Sequence, residues 1–291
     1  MAEPTVKLET WSPKQAEEAL GKSTVNRRLR DSKVLQYSRD MREDRWTSCP
    51  APIAFDEEGN LIDGQHRLTA QVKTGTTRTW VVMRGLPVIV QQTIDTGAPR
   101  SLADLMTVKG VSGSRTTGAV ARLCLQLETG RVNQQTRDRV ASSIEIMEFY
   151  EKNPEIEVST TVASHVVKTG ILNTAPSPLG AAHWWIAKHV GVNEATEFLE
   201  RLGALTHEEE GSPVIALVKR LNDISRKGIR IEPRWVVYMV IKCWNYDVKG
   251  MKIYKINAMT RDGEYKLLTP HQKTNGGEDT QIADALDDDS E

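Results

Sequence analysis

The segment of residues 61–70, which reads LIDGQHRLTA, combines residue types that bind phosphate. Its apolar start predicts a strand that ends at Asp63, Gly64 permits a tight turn, and helical spacing resumes near His66. A helix that begins after such a turn presents its first amides and the positive end of its dipole to an anion. His66 and the permanently charged Arg67 add donors at the same end, so the segment predicts an anion site.

A purely structural interpretation explains the same residues equally well. In that interpretation Asp63 caps the helix, His66 is a surface histidine with satisfied hydrogen bonds, and Arg67 pairs with a nearby carboxylate. Both interpretations require the same strand, turn and helix. The residue types alone therefore leave phosphate binding and an ordinary helix start as open alternatives.

The elements that must position this segment form a small α/β unit that is expected to end near residue 105. A first helix is predicted after Ser12, because serine is a good N-cap and Pro13 suits the first helical turn, and Gly21 ends it. The other predicted elements are a helix at 31–45 and strands at 52–55, 61–62 and 80–83.

Beyond Ser112 the pattern changes to one helix after another. The last of them, around residues 234–247, is apolar on nearly all sides, which predicts that it is the central helix of a bundle. The predicted helices cover residues 113–129, 138–152, 157–169, 177–190, 193–203, 213–226 and 232–248.

Composition excludes several classes of protein. Of 291 residues, 39% are hydrophobic and 26% charged, and no run approaches the roughly 20 apolar residues of a membrane span. Collagen-like, mostly disordered and transmembrane chains are therefore not expected. The three cysteines lie far apart and the first residues lack the apolar core of a secretory signal, so we expect a cytoplasmic protein with no membrane partner.

Charge divides the chain into two unlike regions. The chain has 38 basic and 39 acidic side chains, and residues 274–291 hold seven of the acidic ones and no basic one. Residues 1–273 therefore have a formal net charge of +6, which permits contact with nucleotides or DNA without requiring it. The acidic end has too little apolar content to fold by itself and is expected to be disordered.

The 61–70 segment resembles the GxHR and GxRR loops of the ParB and sulfiredoxin-like superfamily, in a variant that reads DGQHRLxA. The likeness extends over the N-terminal third, and its order and spacing are similar to a ParB-like domain group frequent in phages and mobile elements, often labelled "ParB-like nuclease". The residues that carry it are SPKQAEEAL, Asn26-Arg27, the helix ending in Met41 and Trp46, PIAFDEEGNLIDGQHRLTA, WVVMRG, Ile94-Asp95-Thr96-Gly97 and Arg100.

The resemblance implies an α+β fold in three parts. A small ParB/sulfiredoxin-like α/β domain that binds nucleotide or phosphate is expected at residues 1–108. An all-helical bundle domain is expected at 109–272, followed by a disordered acidic tail at 273–291.

The resemblance also implies roles for single residues. The matching loop holds CTP in ParB proteins and ATP in sulfiredoxin, and a DGHHR loop does similar work in free-serine kinases. Gly64, Gln65, His66 and Arg67 fall at these phosphate-binding positions, which implies a nucleoside triphosphate, CTP or ATP, with Mg²⁺. Asp63 matches the acidic residue of the kinase-type loop, so Asp63 and His66 are catalytic candidates and Asp63 is the candidate Mg²⁺ ligand.

Four further residues belong to the predicted site by resemblance. Asn26 and Arg27 follow the first helix, where family members place an arginine in the nucleotide cleft. Asp95 and Arg100 lie where the small domain closes. Each also has a structural interpretation, since Asn26 and Asp95 suit caps or turns and Arg100 can be a solvated charge.

Three hypotheses about function follow, and the choice between enzyme and binding protein stays open. The favoured one is binding of a nucleoside triphosphate with hydrolysis or phosphoryl transfer, in phage or mobile-element DNA metabolism. The second is a DNA-binding protein or nuclease that uses the same basic loop on the DNA backbone. A helix-turn-helix at 113–150 would serve it, although the connection ETGRVNQQTRD is longer than that motif allows. The third is a non-catalytic module whose surface changes when nucleotide binds.

Overall fold

A computed structural model of the chain shows a mixed α/β, helix-rich protein with eleven helices and one four-stranded sheet among its described residues. The residues that it describes are 3–22, 29–47, 51–88, 90, 101–130, 141–205, 208–257 and 267–272. They divide into two compact units: those up to Ser101 together with 141–145, and those of 102–130 together with the rest from Ile146 onward. The domain boundary expected at residue 108 stays a prediction.

The first unit is a mixed sheet with three helices. Its strands lie in the order β1-β4-β2-β3, with β1 antiparallel to β4, β2 parallel to β4 and β2 antiparallel to β3. In chain order the elements are β1 (Thr5–Trp11), α1 (Pro13–Leu20), α2 (Asp31–Arg42), β2 (Ile53–Asp56), β3 (Leu61–Asp63), α3 (Gln65–Thr74) and β4 (Arg78–Leu86).

Local signals account for the first two helices. The Ser12 hydroxyl accepts from the Gln15 amide while the Gln15 side chain accepts from the Ser12 amide, and Pro13 opens α1 as predicted. The helix predicted at 31–45 is shorter than expected, because α2 ends at Arg42 and Asp44 adopts a positive φ of 55°. The chain then turns back, and the Trp46 amide donates to the Asp40 carbonyl at 3.0 Å.

The sheet holds one strand that the sequence interpretation missed. β1 precedes the first predicted helix, and the pattern of residues 5–11 does not mark a buried strand because only Trp11 in it is buried. Its pairing with β4, which is longer than the predicted 80–83, forms the strand. β1 is therefore a strand because it pairs with β4, and the sequence pattern of residues 5–11 alone does not predict it.

A buried glutamine fixes α3, the helix of the phosphate-loop segment, against the sheet. The Gln71 side-chain amide donates to the Trp11 carbonyl at 2.6 Å, and its oxygen accepts from the Trp80 indole at 2.8 Å. Leu68 and Ala70 of the same helix are fully buried in the core. These contacts set the position of the first turn of α3 relative to β1 and β4.

The second unit is helical throughout its described elements, and seven of its helices match predicted ones to within a few residues. No helix of the described residues is both long and apolar enough to cross a membrane. The elements are α4 (Leu102–Val108), α5 (Ser114–Glu128), α6 (Ser143–Lys152), α7 (Ile156–Thr169), α8 (Pro176–His189), α9 (Val192–Ala204), α10 (Pro213–Arg226) and α11 (Pro233–Val248), the first residues of α6 belonging to the first unit.

The centre of the helical unit is α8, and the prediction that the helix at 234–247 takes this place was wrong. α8 packs against α5, α7, α9 and α11. Its Gly180, Ala181 and Ala182 allow the close approach, and a Cβ on Gly180 would lie 2.9 Å from Val120 Cγ2. Because these three residues are small, α8 can pack closely against several helices at once. The bulkier helix α11 is also buried, from Trp235 to Trp244.

Candidate functional site

The predicted strand, turn and helix of residues 61–70 are present. β3 ends at Asp63, Gly64 is the N-cap residue of α3 with φ 105° and ψ 0°, and the helix begins at Gln65. Gly64 is required for two reasons, since side chains rarely adopt this φ and a Cβ here would lie 2.5 Å from Cδ1 of buried Ile53. The turn therefore brings Gly64 against the Ile53 side chain, where a Cβ would force the Ile53 Cδ1 methyl to move.

Asp63 joins the turn to the helix. Its Oδ1 accepts from the Gly64 amide at 2.6 Å, and its Oδ2 accepts from Arg67 Nη2 at 2.9 Å. No side chain caps α3 at Gly64, so the interpretation of Asp63 as a conventional helix cap was wrong. The pairing of Arg67 with a nearby carboxylate, by contrast, is present.

Arg67 is buried and connects α3 by hydrogen bonds to the segment that precedes β2. The residue is only 7% exposed, and its guanidinium donates to the carbonyls of Ala51 and Pro52 as well as to Asp63. A planar guanidinium can satisfy several acceptors at once, which a lysine cannot do with the same geometry. Arg67 therefore positions the loop, and its direct contact with phosphate stays a prediction.

His66 connects the starts of two helices. Its Nε2 accepts a hydrogen bond of 3.0 Å from the backbone amide of Arg30, the N-cap residue of α2, so this nitrogen carries no proton in the arrangement. Neither α2 nor α3 has a side-chain cap at its N-cap residue. The starts of α2 and α3 thus approach each other at His66, with the carboxylates of Asp31 and Asp63 at the same two helix ends.

The structure brings five predicted residues together: Asp63, Gly64, Gln65, His66 and Arg67. Gln65 Oε1 is buried and has no hydrogen-bond partner in the described part of the chain. The other predicted site residues, Asn26, Arg27, Asp95 and Arg100, lie outside the described residues, as do the acidic end and the connection between α5 and α6.

Asp63 has acceptor positions left that a metal ion could use. A carboxylate has about four acceptor positions, and Asp63 uses two of them in the bonds to Gly64 and Arg67 while its side chain stays 29% exposed. Mg²⁺ commonly uses one or two protein carboxylates, with water and phosphate oxygens as its other ligands. Within the described residues there is no group of three His, Cys, Asp or Glu that would hold a metal by itself.

A cleft lies at the other end of β2 and β3, beside the turn around Gly59. This cleft of about 310 Å³ was missed by the sequence interpretation, because its residues come from β1, α1, β2 and β4. Its Glu9 and Arg84 pair with each other, and the hydrogen bonds from Arg84 lower the pKa of the Glu9 carboxyl. Its Asp56 carboxylate accepts from the Glu58 and Asn60 amides. Because these groups satisfy one another, we assign the cleft no ligand.

Comparisons with protein-family models, curated proteins and solved structures found no match to this chain.

We expect Gly64→Ala to destabilise the protein by about 2 to 3 kcal/mol, because strained backbone and a contact with Ile53 add together. Gly75→Ala at the other end of α3 is the matched control, since it has a positive φ of 67° but open space around its Cβ. The control is expected to lower stability by about 1 kcal/mol. Urea unfolding of both variants measures the difference, and equal losses would show that the Ile53 contact is unimportant.

Proposed function

We propose that this chain binds a nucleoside triphosphate, CTP or ATP with Mg²⁺, at the first turn of α3. The observation that supports the proposal best is the junction at His66, where the N-terminal ends of α2 and α3 approach each other beside the left-handed turn at Gly64. The positive end of a helix dipole stabilises negative charge, and the first residues of two helices lie beside His66. In the proposal Gly64, Gln65 and His66 face the phosphates, while Arg67 holds the loop in place.

The nucleotide, rather than free phosphate, is proposed from the resemblance of the N-terminal third to the ParB and sulfiredoxin-like superfamily. The proposal includes that fold for residues 1–108, a helical domain at 109–272 and an acidic disordered tail at 273–291. It also includes a cytoplasmic protein that acts in phage or mobile-element DNA metabolism. The mixed α/β character of the first unit is consistent with this assignment.

The reaction that we propose is hydrolysis or phosphoryl transfer. An oxygen of water or of an acceptor hydroxyl attacks the terminal phosphorus, the bond from that phosphorus to the bridging oxygen breaks, and the nucleoside diphosphate leaves. Asp63, the last residue of β3, accepts the proton of the attacking group or binds the metal ion. When bound, Mg²⁺ would neutralise charge on the phosphates. His66 orients the phosphates from its fixed position on Arg30.

A second candidate function is nucleotide binding without turnover. Both Asp63 oxygens already accept hydrogen bonds inside the loop, which suits a positioning residue as well as a catalytic one. In that case binding at the helix junction would change a surface that a partner recognises. Nucleotide binding without phosphate release would favour this module over the enzyme.

A thermal-unfolding screen with CTP, ATP, GTP and UTP, each with and without Mg²⁺, tests the proposed ligand. At 100 times its dissociation constant, the correct nucleotide is expected to add about 2.7 kcal/mol to the free energy of unfolding. The matching nucleosides, which lack phosphate, are the control and are expected to add nothing. A chain whose melting temperature no nucleotide raises would contradict the proposal. Salt-dependent DNA binding that nucleotide leaves unchanged would favour the DNA hypothesis instead.

A further inference from the structure

Among the described residues, β1 forms one edge of the sheet, and it presents large apolar side chains to solvent. It lies at the end of the strand order, with β4 as its paired neighbour. Val6 is 57% exposed and Leu8 is 75% exposed. An open strand edge with apolar side chains and no internal proline readily pairs with another strand.

The exposed apolar residues of β1 lie next to apolar residues of β4. Val6 is paired with Met83 and Leu8 with Val81, so these four side chains share one face of the sheet. Trp80 and Val82, which alternate with them on β4, are buried in the core on the opposite face. The exposed Val6 and Leu8 therefore lie beside two half-buried apolar side chains of β4.

We propose that β1 pairs antiparallel with β1 of a second copy of this chain, about a two-fold axis at Leu8. In this register Leu8 lies opposite Leu8 of the second copy. Lys7 lies opposite Glu9 of the second copy, and the symmetry repeats this pair on the other side of the axis. Val6 lies opposite Thr10 and diagonal to Leu8 of the second copy, which extends the apolar contact.

The charges on β1 select this register over its neighbours. A two-fold axis at Lys7 would place two lysines directly opposite each other, and an axis at Glu9 would do the same with two glutamates. Like charges in directly opposed positions are destabilising. Glu9 already accepts from Arg84 and from the Trp11 indole, and a carboxylate has further acceptor positions for Lys7 of the second copy.

A second copy fits this edge better than an unrelated strand does, because the charge pattern is self-complementary. Lys7 and Glu9 flank Leu8 symmetrically, so the same three residues supply both halves of the interface. An interface around a two-fold axis needs such self-complementarity. The inference concerns β1 alone and does not depend on the proposed nucleotide site.

Sedimentation equilibrium of the full chain tests the dimer, at up to about 100 µM because interfaces of this small size are weak. The wild type is expected to form a species of twice the 32.5 kDa chain mass. Leu8→Arg and Leu8→Asp each place like charges at the axis and are expected to weaken the dimer at least about tenfold. An equimolar mixture of the two variants is expected to restore it, since opposite charges then meet.

Val108→Arg is the matched control, because Val108 is 76% exposed and lies on α4. It is expected to leave the dimer unchanged. Lys7→Glu, which places like charges opposite Glu9, gives a second test if a Leu8 variant does not fold. A wild type that is monomeric at every concentration, or a dimer that survives these changes, would overturn the proposal. So would slow exchange of β1 amides in a monomer, because another part of the chain would then cover the edge.

Discussion

Arg67→Ala is expected to lower the free energy of unfolding by about 3 kcal/mol, which is one of the largest effects that this structure predicts. The guanidinium is buried and donates to the carbonyls of Ala51 and Pro52 and to Asp63. Alanine leaves these acceptors without their donor and leaves a cavity between α3 and the chain before β2. Chemical denaturation monitored by tryptophan fluorescence measures the loss.

Arg84→Ala is the matched control for this prediction. Arg84 also belongs to the first unit and also pairs with a carboxylate, that of Glu9, but its side chain is 43% exposed. Exposed ion pairs contribute about 0 to 1 kcal/mol, so the control is expected to be nearly as stable as the wild type. Equal stability of Arg67→Ala and the wild type would show that the buried hydrogen bonds do not hold the loop. Nucleotide binding by Arg67→Ala is therefore measured only under conditions in which the variant is folded.

Asp63→Asn is expected to reduce turnover by about a hundredfold or more if the carboxylate accepts a proton or binds Mg²⁺. Asparagine keeps an oxygen for the Gly64 amide but loses the charge that faces Arg67. A stability loss of about 1 kcal/mol is therefore expected as well, so activity is measured well below the melting temperature. Phosphate release and nucleotide affinity are measured on the same preparation.

Asp44→Asn makes the same chemical change at a carboxylate that is 96% exposed and outside the loop. We expect this control to leave turnover and stability unchanged. Turnover that Asp63→Asn retains would remove Asp63 from the catalytic residues and favour nucleotide binding without reaction. Turnover lost with nucleotide affinity intact would favour the enzyme.

Local chemistry explains which elements were predictable. Ser12 and Pro13 mark the start of α1 through hydrogen bonding and a preset φ, effects that need no distant partner. Seven helices of the second unit were found because apolar periodicity and glycine or proline boundaries are local as well, whereas α4 was missed. The turn at Gly64 was predictable for the same reason, since only a glycine suits its backbone.

The amino-acid sequence by itself determined the mixed α/β and helical regions, the strand-turn-helix at residues 61–70 and the residue types at its turn. Only the tertiary structure decided that Arg67 is buried against backbone carbonyls, that His66 contacts the start of α2, and that α8 is central. The physical reason is the range of the interactions. Periodicity, capping and turn preferences act over a few residues, whereas hydrogen-bond partners and packing neighbours come from segments far apart in the chain.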